Sequence, residues 1–407
     1  MEPTIGEQLA RIRRQSSLTQ EQLAERSGVS VEVIQKLEQG RRKGARIPTL
    51  NRLARALEVP TSALFGDASS AAADREPHAR PLSLVGIRRA LTPVAGLDGE
   101  LMALDLTESQ LTLAAAEQAV ADANRSYYAN DYATTLRTLP ALLAQVRALA
   151  SVGVGDDQLA AHAVAADAHQ VAGQLLIQLR QVDLAHVALT SAFNHACASG
   201  RRTVEASVIC SLTWLTLRQG RFTEAERLAV QTADQVEPRL STASAEEVSA
   251  WGWLLLRGAA AAARDARDDA AAEMLALADA GARRLASRAP TVGGFTTHEV
   301  RVMQVEAAVI AGQPDRALEL SAGALRQPGQ VSTATWQRHR LDVASARVQL
   351  GQYAGATEVL VDLRDRAPAW LRQQRYARDI VQSITEGRRR AMSTELAELA
   401  ALVGCTS

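Results

Sequence analysis

The chain has 407 residues, length enough for two or three domains, and carries 45 basic and 45 acidic side chains. That balance excludes a molecule drawn to nucleic acid or an anionic membrane by its overall charge, so any basic surface must be local. Aromatic residues make up 3% of the chain against 47% apolar residues. With the visible alanine runs, this points to small-residue helix packing and an all-α fold rather than to sheets of β-branched and aromatic strands. Three cysteines, Cys197, Cys210 and Cys405, are odd in number and lack CxxC spacing, which argues against a disulfide framework or a zinc knuckle and fits a reducing cytoplasm. Met1 to Ala10 has no apolar signal core, and no apolar run reaches membrane-spanning length. The expectation is a cytoplasmic protein without membrane contact.

Charge divides the chain in two. Residues 1–66 hold eleven basic and seven acidic side chains, a net of +4, and include both lysines, Lys36 and Lys43; the rest nets −4. A basic head on a mildly acidic body implies that the head meets an anion. Within the head, Ile5, Leu9 and Ile12 recur at helical spacing. Thr19 with Gln22 forms a capping box that opens a second helix carrying Leu23 and Ala24. Gly28 ends that helix where positive φ is needed, and Ser30 caps a third over Val31–Gln39, with Ile34 and Leu37 facing inward. Gly40 closes it, Thr49 begins a fourth with Leu50, Leu53 and Leu57 inside, and Pro60 opens a short fifth ending at Leu64 and Phe65.

The runs Leu18-Thr19-Gln20-Glu21-Gln22-Leu23-Ala24, Ser27-Gly28-Val29-Ser30, Ile34 with Lys36-Leu37-Glu38-Gln39-Gly40, and Leu53-Ala54-Arg55-Ala56-Leu57 resemble the XRE or phage-repressor family of helix-turn-helix DNA-binding domains. The resemblance covers about a sixth of the chain and implies that the third helix enters the major groove. By position, Val31, Glu32, Gln35 and Lys36, with Ser30 at the helix start, then face base edges, and Gln20 touches the backbone. Gln35 suits bidentate contact with adenine, Glu32 accepts from cytosine, Lys36 reaches guanine or phosphate, and Val31 meets only a thymine methyl. Arg41, Arg42, Lys43 and Arg46 put four cations in six residues, where phosphate contacts would fix register and make affinity salt-dependent. The loop that carries them is longer than the compact family pattern.

Residues 67–106 read as a linker. Gly66 to Pro81 is low in large apolar residues and punctuated by Pro77 and Pro81, a flexible tether. Leu84, Ile87 and Leu91 make one short helix before Pro93, Gly96 and Gly99, with regular structure resuming near Thr107.

The body, 107–407, repeats a helix, a tight turn and a second helix opening with a small residue. The clearest copies are Gly220-Arg221-Phe222-Thr223-Glu224-Ala225, Gly312-Gln313-Pro314-Asp315-Arg316-Ala317 and Gly351-Gln352-Tyr353-Ala354-Gly355-Ala356, followed by Pro368. These resemble tetratricopeptide (TPR) repeats. Weaker copies are Asn130-Asp131-Tyr132 with Thr135, Val182-Asp183-Leu184 with Val187 or Ala188, and Arg267-Asp268-Asp269 with Ala271 or Ala272. Aligning positions 135, 188, 225, 271, 317 and 356 gives spacings of 53, 37, 46, 46 and 39, longer than the roughly 34 residues of an ideal repeat. Ala369–Glu386 and Met392–Val403 add a closing pair, with Arg388, Arg389 and Arg390 between them as a solvated bend. The expected architecture is a five-helix helix-turn-helix head, a flexible linker and a TPR-like α-solenoid.

First helices of such a stack line a concave surface open to a ligand or partner. Counting back from each small residue places Asn124, Tyr128, Gln170, Trp214, Trp253, Glu306 and Arg338 on or near it, although tryptophans at this spacing also read as core. Enzymatic signatures are missing: the chain has no GxxxxGK(S/T) loop, GxSxG turn or HExxH helix, and Gly153-Val154-Gly155 reads as an interhelical loop. Among His78, His162, His169, His186, His195, His298 and His339, no pair stands with carboxylates or thiols at zinc-ligand spacing; His162 and His169 read as packing or surface. Cys197 and Cys210 read as inert thiols rather than a redox pair. No enzyme activity, cofactor or metal is expected.

The layout resembles peptide-pheromone-responsive regulators of Gram-positive bacteria. It implies a bacterial transcription regulator, dimeric on operator DNA, whose body dimerises and senses a peptide or small-molecule effector. The effector would change the spacing of two recognition helices that lie about one DNA turn apart. A regulator without a ligand fits the residues equally well. The alternative is an interaction adaptor whose repeats hold a partner protein while the head localises the assembly or has lost DNA binding. The ratio of 43 arginines to two lysines fits a GC-rich, actinobacterial source.

Overall fold

The computed structural model of the chain describes residues 4–15, 18–42, 44–57, 61, 64, 84–94, 97, 112–286, 295–322, 332–372, 374–387 and 392–405. Twenty helices and no strand occur among the described residues. The tether expected over Gly66–Pro81, Lys43 and Arg388–Arg390 lie outside them.

The head is built from α1 (Ile5–Gln15), α2 (Gln20–Ser27), α3 (Val31–Glu38) and α4 (Ile47–Ala56). Thr19 and Gln22 form the reciprocal capping box at the start of α2, and Gly28 ends that helix in the left-handed region at φ 63°. Helix α4 starts at Ile47, ahead of the expected Thr49, because Pro48 presets the backbone of the first turn and lacks only an N–H that would have had no partner there. Leu9, Leu23, Ile34, Leu37 and Leu53 meet in a core with no exposure, joined by Leu64. Thr61 and Leu64 are the described part of the expected fifth helix. Helix α1 crosses α3 so closely that a Cβ on Gly6 would stand 1.8 Å from the Leu37 carbonyl oxygen.

The body begins with α5 (Val85–Leu91). The short helix expected before Pro93 is thus present, and it is packed rather than tethered: Ile87, Ala90 and Leu91 are buried in the same core as the helices that follow, and Arg147 donates to the Ala90 carbonyl. Six helical hairpins succeed it. They are α6 (Leu113–Tyr128) with α7 (Tyr132–Val152), α8 (Asp156–Gln178) with α9 (Val182–Ser199), and α10 (Arg202–Arg218) with α11 (Phe222–Gln235). Then come α12 (Ala245–Arg264) with α13 (Asp268–Ala286), α14 (Thr297–Ile310) with α15 (Pro314–Ala322), and α16 (Thr333–Gln349) with α17 (Tyr353–Arg366). The expected closing pair is divided into α18 (Pro368–Arg372), α19 (Arg375–Gly387) and α20 (Thr394–Val403).

One turn geometry recurs in all six hairpins. Asn130, Arg180, Gly220, Ala266, Gly312 and Gly351 each adopt φ between 59° and 81°. In every case the next residue donates to the carbonyl five positions back, as in Asp131 to Ser126, Gln181 to Leu176 and Gln352 to Arg347, at 2.8–3.2 Å. This is the left-handed cap that satisfies the last carbonyls of a helix. The residue five places after each left-handed position, Thr135, Ala185, Ala225, Ala271, Ala317 or Ala356, is at most 2% exposed, since the two helices of the hairpin meet there. The second copy is therefore anchored on Ala185, which corrects the expected Val187 or Ala188. Arg180 occupies the left-handed position that glycine takes in the clearest copies, so the sequence offers no mark of the turn.

Each first helix also packs on the first helix of the next hairpin, from α6 through α8, α10, α12, α14 and α16 to α19. Among the described residues, comparable packing joins successive second helices only at the closing end, between α17 and α20. Close inner helices and splayed outer ones curve the stack and leave the first helices on its concave side. The head rests on the turn after α12, where Asn51 donates to the Arg264 carbonyl and Arg55 pairs with Asp265.

Candidate nucleic-acid interface and concave surface

Helix α3 buries Ile34 and Leu37 and turns its other faces outward. Ser30, Glu32 and Lys36 are exposed, and Val31 and Gln35 are half-buried. Ser30 stands at the helix start without a side-chain capping bond, so its hydroxyl faces solvent. Glu32 accepts from Lys36 Nζ at 2.6 Å across one turn, and this hydrogen bond holds its carboxyl below the usual range. Arg41, Arg42 and Arg46 are exposed beyond the helix, and the Arg46 guanidinium lies beside Gly312 of the body.

A nearly buried ionic clamp ties α1 and α2 to the end of this helix. Arg13 of α1 donates to both carboxylate oxygens of Glu38 at the end of α3, through Nε at 2.7 Å and Nη2 at 2.8 Å, and its Nη1 donates to the Leu18 carbonyl at 2.8 Å. Gln20 Nε2 donates to the same carboxylate at 2.7 Å. The amide of Gln20, expected at the DNA backbone, thus ties the start of α2 to the end of α3. Burial pushes the Glu38 carboxyl up, but the hydrogen bonds from Arg13 and Gln20 outweigh it and leave Glu38 below its ordinary range. Nothing in the residue pattern marked Arg13 or Glu38 as partners, because they stand 25 positions apart.

On the concave side, five of the expected groove residues converge. Tyr128 is 47% exposed at the end of α6. Trp214 and Trp253 flank Arg257, whose guanidinium carbon lies 5.1 Å and 5.9 Å from their ring centroids. Glu306 accepts from Arg264 Nη2 at 2.7 Å and Arg338 Nη2 at 3.3 Å, and Arg338 stacks on Tyr376 at 4.6 Å. Asn124 sits half-buried one turn before Tyr128. Gln170 instead lies in the seam between α8 and α10, donating to the Ser207 carbonyl and to the Ser211 hydroxyl at 2.9 Å each. Sequence reasoning missed Arg218, Arg257, Arg264, Asp342 and Tyr376. Helical periodicity could have found most of them, since Trp214 and Arg218, Trp253 and Arg257, and Arg338 and Asp342 are each four residues apart on one face.

Enclosure by the first helices perturbs these groups. Arg218 is exposed, yet desolvation by the helices around its guanidinium lowers it to about 10, with repulsion from Arg338, Arg180 and Arg264 adding to it. Burial pushes Glu299 up to about 7. Burial also raises Glu306, but Arg264 and Arg338 overcome this and hold it ionised, while Asp342, buried beside Glu306, is pushed up toward its neutral form.

Elsewhere, His195 of α9 stands between His162 and His169 of α8. His162 Nδ1 and His195 Nδ1 are 2.9 Å apart, and the rings of His169 and His195 lie 5.2 Å apart. Among the described residues no group of three or more His, Cys, Asp or Glu side chains is placed to hold a metal ion. Cys197, Cys210 and Cys405 are free thiols. Among the described residues no helix is long and apolar enough to cross a membrane.

A family described as a helix-turn-helix domain matches residues 4–64 of the chain, the head as built above. No curated protein and no solved structure matches it.

Proposed function

We propose that the protein is a sequence-specific transcription regulator that binds operator DNA as a dimer through α3 and senses a peptide or small molecule on the concave face of its body. The observation that carries this reading is the outward face of α3, with Ser30, Glu32, Gln35 and Lys36 presented within a helix-turn-helix head and Arg41 and Arg42 exposed beside it. Gln35 and Lys36 read bases, while Arg41, Arg42, Lys43 and Arg46 supply phosphate contacts. The helical hairpins, with one repeated turn and small buried residues five places on, support a TPR-like body. Two half-sites about one DNA turn apart would require two heads, which the body would bring together.

The test is selection of bound fragments from sheared genomic DNA by the full chain at two salt concentrations. One motif with two half-sites that survives the higher salt is expected. The double substitution Gln35→Ala with Lys36→Ala should abolish the motif, each lost base contact costing on the order of 1–3 kcal/mol. Motif-free, salt-labile binding by the unmodified chain would refute the reading and favour an adaptor whose repeats hold a partner.

A further inference from the structure

The concave face carries two guanidinium groups that stand outside its ion pairs. Glu306 is shared by Arg264 and Arg338, so those two guanidinium groups have a carboxylate. Arg218 and Arg257 form no ion pair with a carboxylate among the described residues, and Arg257 Nε is buried with no hydrogen-bond partner. Both border one aromatic surface: Trp214 is one turn before Arg218 on α10, and Arg257 of α12 lies over the Trp214 ring. Trp253 closes the other side of Arg257, and the exposed Tyr128 lies within its electrostatic reach. Arg218 is exposed and open to an anion from solvent, while Arg257 is half-buried between the two indole rings with Glu299 and Glu306 in electrostatic reach but in no ion pair with it.

We infer that Arg218 and Arg257, with the Trp214, Trp253 and Tyr128 rings, form a binding site for a carboxylate attached to a planar aromatic body. Guanidinium forks match a carboxylate, and the rings take the apolar part. The surrounding carboxyls do not compete: Glu306 is already engaged, and burial holds Glu299 and Asp342 toward their neutral forms. Two sources present this chemistry, a free aromatic acid and the C-terminal aromatic residue of a short peptide. The inference rests on reading the concave face as the sensory surface, and it names the ligand class for that surface.

The experiment is calorimetric titration of the full chain, without DNA, with two matched pairs of probes. One pair is 2-naphthoate and 2-naphthamide; the other is Gly-Gly-Phe with a free and with an amidated C-terminus. In at least one pair the acid should bind tenfold or more tightly than the amide, and which pair does so identifies the source. Arg218→Gln should weaken that acid at least fivefold while leaving the melting temperature of the free protein unchanged or higher, because the removed cation has no partner to lose. Arg257→Met, which keeps the stacked stem, should bring acid and amide within twofold of each other. Equal binding of acid and amide in both pairs, no binding by any of the four, or an Arg218→Gln variant that is destabilised with unaltered acid affinity overturns the inference. Operator binding is then measured separately with and without the bound acid. Acid binding that leaves DNA affinity unmoved refutes sensing but not the site.

Discussion

Removing the Glu38 carboxylate by Glu38→Met tests whether the clamp fixes α3. Glu38 and Arg13 side chains are 6% and 11% exposed, so the variant leaves a nearly buried guanidinium without its anion. Breaking a fully buried pair costs about 3–5 kcal/mol. Arg13 keeps some water and its bond to the Leu18 carbonyl, which lowers the expectation to about 2–3 kcal/mol. Local opening of the head should then increase, and hydrogen exchange of peptides within residues 4–64 should accelerate roughly 30- to 150-fold, with the body unchanged. Replacing both partners, Arg13→Met with Glu38→Met, removes the stranded charge and should recover more than half of that loss. The clamp also has a pH signature. The folded carboxyl of Glu38 titrates below its unfolded value of about 4.3, so its contribution is present above that value and fades as pH falls through the folded one. Exchange rates within threefold of the parent for Glu38→Met, or no recovery in the double variant, would refute the account.

Three further outcomes follow from the geometry. Glu32→Gln frees Lys36 from its exposed pair, so non-specific DNA affinity should rise a few-fold and the slope of log K against log salt should steepen by about one phosphate, read by fluorescence anisotropy. Ala266→Gly relieves a left-handed alanine at φ 61°; relief of about 1–2 kcal/mol less the glycine entropy should stabilise the body by about 0.5–1 kcal/mol in denaturant titrations, and a loss would contradict the assigned turn. Burial lowers His169 and His339 to about 4 each. Each contributes stability that is full above the unfolded value of about 6.5 and is lost as pH falls toward the folded one, up to about 3 kcal/mol per group. His169→Phe should flatten the melting temperature between pH 7 and 4.5, and an unchanged profile would argue against a neutral, buried His169.

The head was legible where chemistry is local. Thr19, Gln22 and Gly28 announce a cap and a left-handed turn by residue type alone, and the inward leucines follow from the helical period. The body was legible at Gly220, Gly312 and Gly351 for the same reason. It failed at Arg180, because tertiary packing holds an arginine where only backbone geometry marks the turn. The concave arginines escaped notice on different grounds. A charge every fourth residue on a helix reads as a solvated face, and only stacking of the first helices turns that face inward. Gln20 illustrates the remaining limit. Its position at the start of α2 implies a backbone contact by resemblance, whereas its amide is spent on Glu38, a partner 18 residues away that no local pattern identifies.

Gly6 separates propensity from packing most sharply. It lies within α1, where glycine is about 1 kcal/mol worse than alanine, so local reasoning predicts that Gly6→Ala stabilises the head. The structure predicts the opposite sign. The added Cβ would meet the Leu37 carbonyl oxygen at 1.8 Å and its carbon at 2.7 Å. Both are backbone atoms of α3, so no side chain can rotate away. Relief requires α1 to move off α3 by more than 1 Å, on the order of a lost van der Waals contact, opening the seam between Leu9 and Ile12 on one side and Ile34 and Leu37 on the other. Separating such a core costs about 2–4 kcal/mol, more than the propensity gain returns. Because the same displacement tilts α3, the operator affinity proposed for it should fall in parallel with head stability while the hairpins of the body melt as before. Hydrogen exchange and anisotropy on one preparation read both quantities. A Gly6→Ala head that is more protected and binds DNA as tightly as the parent would show that α1 and α3 do not approach as described.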